Sequence, residues 1–158
     1  MPRVARVVVP DCPHHVTQRG NRRTRIFKDE EDWRTYVAFL KKYAEKHELG
    51  IWAYCLMMNH VHFVAVPRSP TSLSGTFRDA HAAYAQRFNR EWGHSGHVFQ
   101  GRFFSCPMDD PYMWATVRYI ERNPVRARIV KRAEDYEWSS AAAHCGLNRP
   151  GFSGASVT

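Results

Sequence analysis

Ile51-Trp52-Ala53-Tyr54-Cys55-Leu56-Met57-Met58-Asn59-His60-Val61-His62-Phe63-Val64-Ala65-Val66 is the stretch of sequence on which the fold turns. Two apolar runs, Ile51–Met57 and His60–Val66, stand with little more than Asn59 between them, and both are rich in the β-branched and aromatic residues that suit a pleated surface. They read as an antiparallel hairpin or a pair of adjacent strands. Upstream, Asp29-Glu30-Glu31-Asp32 is a carboxylate-rich turn that suits a helix N-terminus. Trp33, Tyr36, Val37, Leu40, Tyr43 and Ala44 then recur at helical spacing until Gly50. Before that helix, His14–Arg19 fits one more strand.

Downstream, a second helix is expected from near Ser72 to about Glu91, with Leu73, Phe77, Tyr84 and Phe88 along one side. A loop with Gly93, His94, Gly96 and His97 leads into Val98–Phe104, which reads as a strand or short hairpin. Asp110-Pro111 signals a further helix, Asp at the N-cap and Pro at the first helical position, running through Tyr119 until Pro124 ends or kinks it. The order β-α-β-β-α-β plus a helix predicts an α+β, ferredoxin-like antiparallel sheet with helices packed on one face. One domain over 1–145 is expected, with residues 146–158, where the pattern is lost, as a mobile tail.

The 158 residues suit a single domain, and 44 % hydrophobic with 13 % aromatic residues supply a core. Lys and Arg exceed Asp and Glu by 23 to 15, a net +8, which favours a polyanionic partner. The longest apolar run is far short of the ~20 residues of a membrane-spanning helix, and the N-terminal apolar stretch is too short for a signal peptide. Cys12, Cys55, Cys106 and Cys145 form no Cys-x-x-Cys pair, so neither a disulfide framework nor a structural zinc site is expected; reduced thiols in a cytoplasmic protein are.

In a strand, His60 and His62 project to one face and Val61 and Phe63 to the other, which makes the two imidazoles a bidentate metal platform. Half-buried structural histidines would show the same pattern. On the last helix, Met113, Val117 and Ile120 form the stripe expected to face the core. Tyr112, Thr116, Tyr119 and Asn123 lie about 100° away, so Tyr119 and Asn123, four apart, share a face. Alternatively Tyr119 is an ordinary layer-boundary tyrosine and Asn123 merely closes its helix. Arginines concentrate in residues 1–28 (among them Arg19, Arg22 and Arg23, near Asn21) and in 118–132 (among them Arg118, Arg122 and Arg126). Arginine forks suit phosphates, although a solvated surface would read similarly. Phe103 and Phe104 beside Arg102 are candidate stacking platforms, one of them expected in the core. Either His14 or His15 could approach the histidine pair, and His81 is expected to be packed. No phosphate-binding Gly-rich loop, serine nucleophile elbow or His-Glu-x-x-His helix is present.

Five segments together resemble one family. They are His15-Val16-Thr17-Gln18-Arg19-Gly20-Asn21, Leu56-Met57-Met58-Asn59-His60-Val61-His62-Phe63, Gln100-Gly101-Arg102-Phe103, Arg118-Tyr119-Ile120-Glu121-Arg122-Asn123-Pro124-Val125-Arg126-Ala127 and Tyr136-Glu137-Trp138-Ser139-Ser140. In this order, over roughly Val9 to Ala143, the chain resembles the REP-associated tyrosine transposases of the HUH single-strand nuclease class. Met58 departs from the family's usual Pro, and Arg122 and Arg128 replace residues more often uncharged or Gly.

The resemblance implies a DNA endonuclease and strand transferase. It makes His60, His62 and Asn123 ligands of Mg²⁺ or Mn²⁺ and Tyr119 the nucleophile that forms a 5′-phosphotyrosine. Its substrate would be single-stranded DNA with a REP-type hairpin, gripped by Arg19, Asn21, Arg22, Arg23, Arg102, Arg118, Arg122 and Arg126. A bacterial, nucleoid-associated protein working as a monomer or homodimer is implied as well. Two other readings compete: a hairpin-binding module that does not cut, and a metal-dependent hydrolase, the latter disfavoured because no carboxylate general base accompanies the histidines.

Overall fold

The structure, a computed structural model, describes residues 4–147. In chain order it comprises β1 (His14–Arg19), α1 (Glu30–Lys46), β2 (Leu49–Leu56), β3 (His60–Pro67), α2 (Ser72–Trp92), β4 (Phe104–Pro107), α3 (Asp110–Glu121), α4 (Asn123–Arg126) and α5 (Ala141–His144), with 3-10 turns at Asn21–Arg23 and Ala133–Asp135. The strands form one sheet in the order β2-β3-β1-β4, antiparallel at every pairing, which is the ferredoxin-like arrangement expected of β-α-β-β-α-β. Among the described residues no helix is long and apolar enough to cross a membrane, and all four cysteines are free thiols.

Local signals explain most boundaries. Asp29 caps α1, its carboxylate accepting from the Asp32 backbone N–H at 2.9 Å. The helix stops at Lys46, and Glu48, with φ +55°, turns the chain so that β2 starts at Leu49, ahead of the Gly50 stop read from the sequence. For α3 the cap is Asp109, not Asp110. The Asp109 carboxylate accepts from the Tyr112 N–H at 2.9 Å, and the helix begins one residue earlier than its Asp-Pro pair suggests.

The expected strand over Val98–Phe104 is displaced: only Phe104–Pro107 pairs with β1, and Gly20–Phe99 makes an isolated bridge. The reason is local. Gly101 is left-handed at φ +62°, and Val98 and Phe103 turn inward to the core, so 98–103 is a loop laid along the end of β1.

One sheet face carries Val16, Tyr54, Leu56, Val61, Phe63 and Ala65, and α1 and α2 cover it with Tyr36, Leu40, Leu73, Phe77 and Tyr84. The other face carries Ala53, Cys55 and Val64, and α3 packs there through Met113, Val117 and Ile120. Helices therefore lie on both faces. The two of the ferredoxin-like unit share one face, as expected, while the additional helix takes the face bearing His60 and His62, because its apolar stripe matches the patch beside them. A bulge between Ile51 and Ala53 in β2 reverses the alternation, so that Leu49 and Ile51 and then Tyr54 and Leu56 all face α1 and α2.

Asp32, fully buried, ties the layer together. Its carboxylate accepts from the Lys28 backbone N–H (2.8 Å), Arg87 Nη1 (2.8 Å) and Trp92 Nε1 (3.0 Å), which joins the start of α1 to the end of α2. His81, also buried, bonds Tyr36 Oη at 2.9 Å and is a packed core histidine.

Candidate active site

His60 and His62 sit on β3 opposite Arg19 and Thr17 of β1, on the face covered by α3. Their rings are edge to face with centroids 5.1 Å apart. His60 Nδ1 donates to Asn59 Oδ1 at 2.7 Å, an oxygen that can only accept, so Nε2 keeps its lone pair. That lone pair faces Asn123 Nδ2 at 3.1 Å. A residue of α4 thus meets a residue of β3 across 63 positions of chain.

His15, diagonal to His62 on the same face, stacks on it with centroids 5.5 Å apart and places Nε2 3.3 Å from His62 Nδ1. It is His15, not His14, that approaches the pair; His14 is buried on the other face, bonded to Cys12 O and the Val9 N–H. Burial lowers the pKa of His15 and His60. Burial first, then the charges of His60, His15 and Arg126, push His62 down to about 3. All three rings are therefore neutral at pH 7.

Tyr119 extends from α3, half exposed, with its ring perpendicular to that of His62 at 6.3 Å between centroids. The Arg126 guanidinium lies 4.1 Å above the tyrosine ring. Two turns of sequence logic meet here: the stripe Met113, Val117, Ile120 is buried as expected, and Tyr119 and Asn123 are left facing the histidines. Thr116, placed on the same stripe as Tyr119 by spacing, is buried too, because the core seam is wider than the three aliphatic residues suggest.

Glu121, on the opposite side of α3, is occupied structurally. Its Oε1 accepts from Ser140 Oγ at 2.6 Å and from His144 Nδ1, fastening α5 to the end of the helix that bears Tyr119. The hydrogen bond to Glu121 raises the His144 pKa. A raised folded-state pKa contributes stability that is fully present below the unfolded value of about 6.5 and is lost as pH rises through the folded value. The stability difference between the wild type and His144→Gln in urea is thus expected to be largest near pH 5.5 and to shrink above neutrality; a difference independent of pH would contradict this linkage.

An open cavity of about 530 Å³ lies beside the histidines, lined by Thr17, Arg19, His60, His62 and Phe104 of the sheet and by Arg23, Asn59, Gln100 and Arg102 of the adjoining turns and loop. Arg19, Arg23 and Arg102 are thus brought together, and Arg126 reaches Tyr119 instead. Asn21, Arg22, Arg118 and Arg122 line no part of the cavity: the Asn21 N–H holds the 98–103 loop through Val98 O at 2.8 Å, and the three arginines are exposed. Of the phenylalanine pair, Phe103 is core and Phe104 is exposed. Asn59, Thr17 and Gln100 were not marked by the sequence. Only the adjacency of Asn59 to the histidine pair could have signalled it.

The fold, a ferredoxin-like sheet with an added helix over its histidine-bearing face, is that of solved transposase structures. A REP-associated tyrosine transposase bound to a REP hairpin superposes with a TM-score of 0.70 at 19 % identity, over 100 % of this chain and 99 % of that one. A candidate transposase from Deinococcus radiodurans gives 0.51 at 17 % identity, over 77 % of this chain and 97 % of that one. Residues 8–123 match the family model of the IS200-like transposases, and the chain belongs to that family. No curated protein matches it significantly.

Proposed function

We propose that this transposase is a single-strand DNA nicking and joining enzyme of the HUH class that binds REP-type hairpin DNA and cuts it through Tyr119. The observation that carries the reading is the convergence of His60, His62 and Asn123 with the tyrosine of α3 beside a cavity lined by arginines. Hairpin DNA as the substrate is supported by the hairpin bound to the solved relative and by the net +8 charge.

Among the described residues no three His, Cys, Asp or Glu side chains converge as a metal-binding group; the candidate set is two imidazoles and an amide. That set fits a divalent ion such as Mg²⁺ or Mn²⁺. Both imidazoles are neutral, His60 Nε2 has its lone pair free of the protein backbone, and its other nitrogen is fixed by Asn59. Asn123 presents its amide nitrogen to His60 here, and a 180° turn of the amide offers the oxygen instead. A bound divalent cation supplies charge neutralisation at a phosphate.

The chain's own residues do the rest. Tyr119 Oη forms a bond to the scissile phosphorus while the bond from phosphorus to the 3′ oxygen breaks. The electron pair leaves on that oxygen, which takes up a proton to become a 3′-OH, and the phenol proton passes to solvent. Arg126 holds the tyrosine ring and sets a positive charge beside the reacting phosphate, while Arg19, Arg23 and Arg102 bind neighbouring phosphates. Because the phosphotyrosine ester keeps the energy of the broken linkage, a second 3′-OH can displace Tyr119 and rejoin strands.

The test is a denaturing gel of the protein with labelled single-stranded hairpin DNA and Mn²⁺. A labelled protein band that survives denaturation is expected. DNA retarded on a native gel with no covalent band, across several hairpins and metals, would reduce the protein to a binding module.

A further inference from the structure

His60 and His62 each have a neighbour on the ring nitrogen Nδ1. For His60 the neighbour is Asn59 Oδ1 at 2.7 Å, an oxygen that can only accept. For His62 it is another imidazole, His15 Nε2 at 3.3 Å.

His15 and His62 are nearly parallel, at 13°, but offset until they meet edge to edge. Their centroid separation of 5.5 Å exceeds the 3.3 Å between the nitrogens by about two ring radii, which happens only when both nitrogens lie close to the line joining the centroids. Nitrogen points at nitrogen in the plane of both rings, the alignment of an N–H···N hydrogen bond.

Such a bond holds a single proton. With the proton on His15 Nε2, His62 Nδ1 accepts, and the His62 hydrogen sits on Nε2, which then has no lone pair for a cation. With the proton on His62 Nδ1, Nε2 is left with a lone pair, as His60 Nε2 is. Only the second arrangement makes His62 a ligand. His15 has no other engagement: among the described residues its ring bonds and touches no ring but that of His62. Opposite it in the sheet stand Val64 on β3 and Cys106 on β4, an aliphatic residue and a thiol directed to Pro107 O at 3.4 Å.

We infer that His15 is a positioning residue for the divalent-cation site: by accepting from His62 Nδ1–H it fixes the tautomer and the ring plane of His62, as Asn59 does for His60. Two of the three proposed ligands then have their lone pairs set before a cation arrives. The inference rests on the reading of His60, His62 and Asn123 as ligands and adds to it a residue of β1, diagonal to His62 across the sheet.

Binding of Mn²⁺ alone, without DNA, tests it, read from the electron paramagnetic resonance of the free ion in the wild type, His15→Phe, His15→Gln and His62→Ala. Phenylalanine keeps a ring but no acceptor, and glutamine sets an amide oxygen near the place of Nε2. His15→Phe is expected to weaken Mn²⁺ binding about ten- to a hundredfold, the usual cost of losing such a partner, and His15→Gln to stay within about threefold of the wild type. Long-range ¹⁵N–¹H NMR of the metal-free wild type is expected to show the hydrogen of both His60 and His62 on Nδ1, and His15→Phe to lose that preference at His62 alone. If phenylalanine disturbs the fold, the wild-type spectrum and His15→Gln decide. Binding within about twofold of the wild type in His15→Phe, an equal loss in His15→Gln, or a wild-type His62 with its hydrogen on Nε2 each overturns the inference. His62→Ala separates it from the reading beneath it. A loss there with none in His15→Phe overturns the positioning role alone, whereas no loss in His62→Ala overturns the ligand reading and the inference with it.

Discussion

Tyr119→Phe is expected to abolish the covalent protein–DNA adduct, lowering its rate of formation by at least about a thousandfold, while hairpin affinity stays within about threefold. The two effects separate because of how Tyr119 is held. Its contacts among the described residues run through the ring, edge-on to His62 and beneath the Arg126 guanidinium, and a phenylalanine ring preserves both. The substitution removes one oxygen, which is the reacting atom of the proposed chemistry. No neighbouring side chain offers a substitute nucleophile on α3, since Glu121 points away and is engaged by Ser140 and His144. The rates are read from a time course on a denaturing gel and the affinity from anisotropy on the same hairpin. An equal loss of binding would show that Tyr119 grips DNA and would remove its assignment as nucleophile.

The second large effect lies 87 residues earlier in the chain and concerns stability. Asp32→Ala is expected to destabilise the fold by about 3–5 kcal/mol, the range for removing one partner of a buried ion pair. The carboxylate is wholly inaccessible, and three donors converge on it. Alanine leaves the mostly buried Arg87 guanidinium without its counter-charge, the Trp92 indole N–H without an acceptor, and the chain entering α1 without its anchor at Lys28. Urea unfolding reads the loss directly, and a fall in Tm of about 10 °C should accompany it. Asp32→Asn, which keeps the shape and some acceptor capacity, is expected to cost less. A loss below about 1 kcal/mol for alanine would mean that the three donors find water or each other.

Where periodicity and capping spoke clearly, the sequence was legible. The β1 limits, the start of α2 at Ser72 and the inward stripes of α1, α2 and α3 follow from residue spacing alone. So does the placement of His60 and His62 on one face. Strand order followed from the ferredoxin-like element order, whereas the side taken by α3 was not legible, because it depends on which patch its apolar stripe meets. The 98–104 segment misled for a related reason: its aromatic density resembles a strand, yet Gly101 breaks it and Phe103 is recruited by the core. At the candidate site, His-x-His and the Tyr-x-x-x-Asn spacing marked the side chains that converge. The arginines could be counted but not sorted. Arg19, Arg23 and Arg102 reach the cavity while Arg22, Arg118 and Arg122 do not, a distinction set by the turn after Gly20 for Arg22 and by the exposed positions of Arg118 and Arg122 on and just after α3.

The bulge in β2 carries a consequence for how such a chain can change. Strand alternation is a two-valued code, and the extra residue between Ile51 and Ala53 switches its phase once, halfway along. Leu49 and Ile51 are written in one phase, Tyr54 and Leu56 in the other, and all four arrive on the same side. Deleting Trp52 would remove the extra residue and leave Leu49, Ile51, Tyr54 and Leu56 in one unbroken alternation on the same side, whereas deleting a residue on either side of the bulge, Gly50 or Cys55, would carry Leu49 or Leu56 across the sheet. Insertions and deletions elsewhere in a loop are absorbed by degrees. Within either half of this strand a change of one letter is a reversal, and only a second, compensating change in the same strand restores the reading.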